Sequence, residues 1–504
     1  MIRNLTPLAN QEFDLLVIGG GINGCAIAHL AAKRGLKVIL LEKGDFASGT
    51  SSKSTKLLHG GIRYLENLEF DLVRESLKER SIQLKSAPHL AKPIRFIVPV
   101  YKKDPRPLWL IRLGVGLYDF LAGNYRIGRY QSLTVEEILK LEPDLSPNGL
   151  LGGVSYYDVQ MDDARICLEN ALSSQESGAI VINYAKINSF IKEGNQVTGV
   201  EINDQLNNQS VRIKSRKTVL TVGPWSNGLI RLAEGVSRKI IRTTKGVHIV
   251  YREKISNHAL LLTNPEDRRI FFVIPWHGHS LIGTTDTNFV KTPDAVKIDP
   301  KDIAYLLSAT RHAFPKLSLK EDNIITSFAG LRPLIRKGGQ PSKVSRRHLL
   351  EKSPSGLITV IGGKYTTYRK IAEDCLNRIT KPQSNQVFTL YGSGKVPETF
   401  SEISERYSVT IAIAQMLADF YGARFEDVLK LTVGRPELKE RLCTCTPFIK
   451  AQVIYALQTE LAQTAEDISE RRLSLHYRFC PSRNCYKTIQ EMVREYFSDT
   501  NKEI

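Results

Sequence analysis

The sequence has no run of about 18 apolar residues, so no segment of it reads as a helix that spans a bilayer. Met1 to Phe13 is polar, without the apolar core of a secretion signal, and the expectation is a chain that stays where it is made. Cysteine is scarce: seven in 504 residues, an odd number, which argues for reduced thiols and a cytosolic-side location rather than a disulfide framework. Internal repeats and low-complexity tracts are missing too. Acidic residues are outnumbered, 52 against 70 basic, leaving a net charge of +18 that calls for an anionic partner. No module interleaving aromatic and basic residues is present, so nucleic acid is not the expected one. An anionic membrane surface fits better. Lys102 to Leu121 combines Lys102, Lys103, Arg106 and Arg112 with Trp109, Tyr118, Phe120 and many aliphatics, a mixture suited to lying in a bilayer interface. The same stretch also reads as a buried helix with a basic end.

What is present is an ordinary globular composition, 42% hydrophobic and 24% charged, in a chain long enough for two or three domains. Its most informative part comes first. The apolar run Leu15 to Ile18 leads into Gly19-x-Gly21-x-x-Gly24, a helix-compatible stretch runs from Ile22 to Lys33, Gly35 ends it, and a second apolar run, Val38 to Leu41, stops at Glu42. In this βαβ arrangement Gly19 makes a tight turn, Gly21 admits a pyrophosphate close to the backbone, and Gly24 lets helix and strand pack. The pyrophosphate sits on the helix N-terminus, and Glu42, about 18 residues past Gly24, is placed to accept hydrogen bonds from a ribose. A glycine-rich turn without a ligand would need neither the second strand nor the acid.

The glycine motif alone does not separate FAD from NAD. The following segment, Lys43 to Leu65, is dense in small hydroxyl residues and glycine (Ser48, Thr50, Ser51, Ser52, Ser54, Thr55, Gly60, Gly61), as suits backbone wrapped around an extended flavin nucleotide. His59, Arg63 and Tyr64 stand close together behind it, where a solvated loop leading into a helix (Tyr64 to about Lys85) would have no use for them.

The run Thr50-Ser-Ser-x-Ser-Thr-Lys-Leu-Leu-His59-Gly-Gly-Ile-Arg63-Tyr64-Leu resembles the signature of FAD-dependent glycerol-3-phosphate dehydrogenases, respiratory enzymes that pass electrons to quinone. Seven more segments match in the family's order: Met161 to Arg165, Val222 to Trp225, Lys245 to Val250, Phe272 to Trp276, Ile282 to Asp286, Gly330 to Leu334, and Gly362 to Lys370. Val222 departs from the family's usual threonine. The resemblance covers residues from about 13 to 380 densely and the last hundred loosely. It implies an α/β fold: an FAD-binding Rossmann-like domain of the glutathione-reductase and amino-acid-oxidase type, an antiparallel β-sheet substrate domain and a C-terminal helical domain. It also implies oxidation of sn-glycerol 3-phosphate to dihydroxyacetone phosphate, a membrane quinone as acceptor and peripheral attachment to the inner face of the cytoplasmic membrane. A homodimer stays open. The competing readings are an oxidase that passes electrons to oxygen and yields hydrogen peroxide and, from another class, a basic FAD-containing RNA-binding protein, which gives no reason for Arg63, Arg332 and His59 to accompany the flavin segment.

On this reading the FAD-binding domain is discontinuous, in residues 1–90, 150–230 and 325–385. Residues 91–149 and 231–324 form the substrate-side cap, with strands around Tyr251, Ile270 to Trp276 and Ser280 to Gly283. Residues 390–504 form the helical domain. FAD is held by Gly19, Gly20, Gly21, Asn23, Gly24, Glu42, Lys43, Thr50, Ser51, Ser52, Gly60, Gly223, Gly363, Lys364 and Thr366. Gly362-Gly363-Lys364 is expected to precede a helix from about Tyr365 whose N-terminus steadies negative charge on a reduced flavin.

Oxidising a secondary alcohol needs a hydride acceptor, which the flavin supplies, a base, and cations for the phosphate. Arg332 and Arg63 are the candidate phosphate ligands, since guanidinium binds phosphate bidentately. Arg336, Lys337, Arg346 and Arg347 read instead as solvated surface. His59 and His248 compete as base, and Tyr64 is placed as a hydrogen-bonding partner of the substrate. No metal is expected: Cys443-x-Cys445 and Cys480-x4-Cys485 pair with no histidine set and read as isolated thiols.

Overall fold

The computed structural model describes residues 3, 5–9, 11–236, 239–336, 348–383 and 387–500. Its first sheet has eight strands. At its centre Glu12–Ile18 lies parallel to Val38–Leu41 on one side and to Ser210–Leu220 on the other, with Leu15 opposite both Val38 and Lys217. Ile180–Ile182 extends one edge in parallel, and Ile358–Gly362 followed by antiparallel His348–Lys352 extends the other. Val38–Leu41 is buried at all four positions, as a parallel strand covered on both faces must be. The helix Ile22–Lys33 covers one face, packed beneath Asp163–Glu176 and Tyr368–Leu376; its two outer faces carry alanines and Cys25 so that neighbours on several sides can approach. Asp162 caps the Asp163–Glu176 helix by accepting from the Arg165 amide.

The second, ten-stranded sheet is largely antiparallel and forms the cap. Ala91–Tyr101 pairs with Leu150–Met161, and Ile241–Tyr251 pairs with Ile324–Ile335 along nearly their whole length. Two of these strands, Leu150–Met161 and Ile324–Ile335, fall within segments assigned from sequence to the nucleotide-binding unit, yet they hydrogen-bond into the cap sheet. Leu150–Met161 leads directly into the Asp163–Glu176 helix, which packs on the Ile22–Lys33 helix of the first layer. The expected helix from Tyr64 is interrupted: a 3-10 turn at Ile62–Asn67 ends at Leu68, in the left-handed region at φ 56°, and the α-helix proper is Phe70–Ser86.

The basic amphipathic stretch is the helix Leu108–Ala122. It is not buried all round. Val115, Tyr118 and Ala122 face the core, while Trp109, Leu113 and Phe120 are 65%, 62% and 75% exposed, beside exposed Lys102, Lys103 and Arg112. No described helix is long and apolar enough to cross a membrane.

From Ser401 onward the chain is helical, with its own core around Leu417, Phe425, Val428 and Ile454. Within this domain Asp467–Arg472 winds as a π-helical turn. Its wider spiral presents both Arg471 and Arg472 to Asp45, at 2.6 and 2.8 Å. Burial alone would raise the Asp45 carboxyl, but the two guanidinium groups push it down to about 2. The helical domain is thereby fixed onto the loop just beyond Glu42, and a buried Arg165–Glu460 pair at 2.6 Å adds a second anchor.

Candidate functional site

A cavity of about 1050 Å³ opens at the C-terminal ends of the central parallel strands and runs beneath the cap sheet. Its first wall is the glycine turn. A Cβ on Gly24 would stand 1.9 Å from the Gly19 carbonyl oxygen, so helix and strand approach as only glycine allows, and Gly19 itself adopts φ 110°. Glu42 spans the turn: its carboxylate accepts from the Gly20 amide at 2.7 Å and the Gly44 amide at 2.8 Å. Burial raises its pKa, and those two bonds oppose the rise. Ser51 folds over the helix start, accepting from the Ile22 amide at 2.9 Å.

The opposite wall is one face of the antiparallel pair Ile241–Tyr251 and Ile324–Ile335. In register, His248 stands across from Phe328, Gly246 from Gly330, and Thr244 from Arg332. Because side chains alternate, these positions share a face, and the two glycines leave a slot between His248 and Arg332. The slot is needed: a Cβ on Gly246 would lie 2.4 Å from the Arg332 guanidinium. Asp286 (3.0 Å) and the Thr284 hydroxyl (2.9 Å) orient Arg332. His248 is 2% exposed and stacks on Phe328 with centroids 5.0 Å apart, and its Nε2 lies 3.0 Å from the Thr55 hydroxyl. Its Cδ2 would be 2.2 Å from a Cβ on Gly283, so that glycine makes room for the ring. Burial, then the charges of Arg332 and Lys56, hold its pKa well below the ordinary imidazole value.

A third wall is the loop through His59, Gly61, Arg63 and Tyr64. The His59 amide donates to Thr366 Oγ1 at 3.1 Å, and the His59 and Tyr64 rings are stacked 6.5 Å apart. Lys364 Nζ lies 3.7 Å over the Tyr64 ring and donates to Ser76 at 2.9 Å, so it is set between loop and helix. Arg63 is exposed at the cavity rim. After Gly363 the chain makes a three-residue 3-10 turn, Tyr365–Thr367, and the α-helix starts only at Tyr368.

All six candidate catalytic residues, His59, Arg63, Tyr64, His248, Arg332 and Lys364, line this one cavity. Of the expected cofactor ligands, Gly19, Gly21, Asn23, Glu42, Lys43, Thr50, Ser51, Gly223, Gly363 and Thr366 line it as well. Gly20, Gly24, Ser52 and Gly60 lie behind the wall. Gly60 is pressed against Tyr118, whose hydroxyl accepts from its amide at 2.8 Å, and a Cβ there would overlap that hydroxyl. Lys43 pairs with Asp294 at 2.7 Å and covers Trp225.

Sequence reasoning passed over Thr55, Phe328 and the buried Lys56–Asp163 pair at 2.5 Å, although Thr55 and Lys56 sit inside the hydroxyl-rich run. It also misjudged the last four cysteines. They are not isolated: the Sγ atoms of Cys443, Cys445, Cys480 and Cys485 all lie within 4.8 Å of one another, because two loops 35 residues apart converge.

The residues fit a flavin dinucleotide. The cavity is at the upper end of the size usual for small-molecule sites, with room for an extended dinucleotide and a small second molecule. Asn23 Oδ1, at the helix start, is buried without a hydrogen-bond partner among the described residues. The matching family model is that of the FAD-dependent oxidoreductases, over residues 14–369. The chain belongs to the FAD-dependent oxidoreductase family. FAD is its cofactor.

Residues 384–503 of this oxidoreductase match a second model, described as the C-terminal domain of alpha-glycerophosphate oxidase. Over 501 residues it is 37% identical to the glycerol-3-phosphate dehydrogenase of Synechocystis sp., covering 94% of this chain and 91% of that one. It is 34% identical to the aerobic glycerol-3-phosphate dehydrogenase of Staphylococcus saprophyticus, with 93% and 88% covered. The crystal structure of the Bacillus halodurans glycerol-3-phosphate dehydrogenase complexed with FAD superimposes with a TM-score of 0.82 at 29% identity, covering 98% of this chain and 92% of the other.

Proposed function

We propose that this flavoprotein oxidises sn-glycerol 3-phosphate to dihydroxyacetone phosphate and delivers the electrons to a membrane quinone. One observation carries the reading: Arg332 and His248 project from the same sheet face into the dinucleotide cavity, with a glycine slot between them. FAD, when bound, supplies the acceptor for the hydride that leaves C2 of the alcohol.

Arg332, pre-oriented by Asp286 and Thr284, offers a planar cation to the phosphate, and Arg63 at the rim offers a second. His248 takes the hydroxyl proton. Its burial beside a cation keeps the imidazole neutral at physiological pH, the form that can accept a proton, and the Thr55 hydroxyl and the Phe328 ring fix its orientation. The alcohol thus loses a hydride and a proton and becomes a ketone. His59 lies on the loop wall, and comparing alanine variants of the two histidines assigns the base: the larger loss of flavin reduction marks it.

The quinone and membrane parts draw support from the exposed apolar face of Leu108–Ala122 and from Arg106, which lines the cavity two residues before that helix. A cavity residue so near an exposed apolar and basic face supports access from a bilayer interface. Oxygen as acceptor is the second reading, favoured by the oxidase description of the C-terminal model. Turnover assays with sn-glycerol 3-phosphate decide between them: quinone-analogue reduction without peroxide is expected, and none with unphosphorylated glycerol at the same concentration. Peroxide formation in place of quinone reduction would replace the acceptor, and equal activity with glycerol would overturn the role of the phosphate.

A further inference from the structure

The four clustered cysteines lie in the helical domain, away from the flavin cavity, and none lines it. Cys443 and Cys445 come from the loop before the helix Lys450–Gln458, and Cys480 and Cys485 from the turn that starts the last helix, Asn484–Thr500. Their sulfur separations include 2.7 Å for Cys443 to Cys445, 3.2 Å for Cys445 to Cys485, 3.7 Å for Cys480 to Cys485 and 3.9 Å for Cys443 to Cys480. Cys443 and Cys485 are drawn together as a disulfide pair. One disulfide would tie the two segments by itself, and it gives Cys445 and Cys480 no reason to join.

We propose that these four residues form a tetrathiolate site for one structural zinc ion. Four sulfurs about 2.3 Å from a tetrahedral zinc stand about 3.8 Å from each other, and the four here, all within 4.8 Å of one another, converge on a volume of that size. An iron–sulfur cluster divides its thiolates among separate irons and spreads them beyond a single coordination sphere. Binding exchanges four thiol protons for one divalent ion and leaves a net charge of −2, and Arg441, Arg483 and Lys487 flank the cysteines in sequence. The site is complete within one chain and closed to further ligands, which makes it structural rather than catalytic.

The consequence reaches the active site through a strap. Just before Cys480, Phe479 donates its amide to His279 at 3.2 Å, Arg478 meets His277 at 3.0 Å, and Tyr477 packs edge-on against Phe328 with centroids 5.6 Å apart. Phe328 is the ring on which His248 stacks. Zinc pins the end of that strap.

The test is elemental analysis of the full-length flavoprotein, purified under reducing conditions, together with thiol titration in denaturant after chelation. One zinc per chain and seven reactive thiols, the full cysteine complement, are expected. Cys445→Ser, which spares the Cys443–Cys485 pair, is expected to lose the zinc and to lower the melting temperature, and adding zinc alone to chelated wild-type protein is expected to restore it. Metal-free protein with five thiols, seven less that pair, would overturn the proposal in favour of a disulfide. Iron in place of zinc would overturn the assignment of the metal.

Discussion

At Arg332 a planar fork and a point charge can be told apart by kinetics. Arg332→Lys keeps the charge but cannot hold Asp286, Thr284 and a phosphate together, so KM for sn-glycerol 3-phosphate is expected to rise about tenfold or more, about 1.4 kcal/mol of lost binding. An unchanged KM would remove Arg332 from the phosphate site. His248 yields a pH signature. Its folded pKa lies well below the ordinary value, so the neutral form persists as pH falls through 6.5, and no loss of kcat/KM assignable to this residue is expected there. The unfolded chain does bind a proton on that histidine below about pH 6.5. Stability therefore falls with decreasing pH, by about 1.4 kcal/mol per unit for each such group between its two pKa values. His277 and His29 add to the same slope, being likewise depressed by burial. Urea titrations between pH 7 and pH 5 check this: His248→Asn is expected to flatten the slope by one proton's share, and an unaltered slope would contradict a buried neutral imidazole.

Two glycines, one in each wall, separate cofactor binding from substrate binding at the scale of elements. Gly24→Ala puts a methyl group against the Gly19 carbonyl and forces the first strand and helix apart. Purified protein is expected to retain FAD at least about tenfold more weakly, seen as a lowered ratio of flavin to protein absorbance. Gly246→Ala displaces the Arg332 guanidinium instead, so flavin content is expected to hold while KM rises. The first wall was legible in the sequence because it is local: the glycine spacing, the helix Ile22–Lys33 and Glu42 lie within thirty residues and obey one periodicity. The second was legible only in parts. His248 and Arg332 stand out as residues, but their common face depends on pairing strands about eighty positions apart, and Phe328 carries no local mark of its role. The broken helix at Leu68 and the π-helical turn at Asp467–Arg472 escaped for a similar reason, since partners far along the chain outweigh local propensity there. The last four cysteines have spacings that mean little until two loops meet.

For the whole molecule, the proposed membrane contact rests on the net charge of +18 and the exposed apolar face of Leu108–Ala122. Trp109→Glu removes the most interfacial side chain of that face and adds a negative charge. It is expected to release the protein from anionic vesicles in flotation assays while activity with a soluble dye is unchanged. Vesicle binding that survives the substitution would reject this helix as the contact. The layers themselves were legible, nucleotide-binding sheet, cap and helical domain alike, because each has its own hydrophobic periodicity, whereas the crossings between the two sheets depend on hydrogen bonding that periodicity does not encode. The most direct measurement is an anaerobic titration of the purified yellow protein with sn-glycerol 3-phosphate, following the flavin absorption. The account predicts bleaching at one equivalent of substrate per flavin, with rapid recovery on adding a quinone analogue and slow recovery in air. A flavin spectrum that stays unchanged with sn-glycerol 3-phosphate would contradict it.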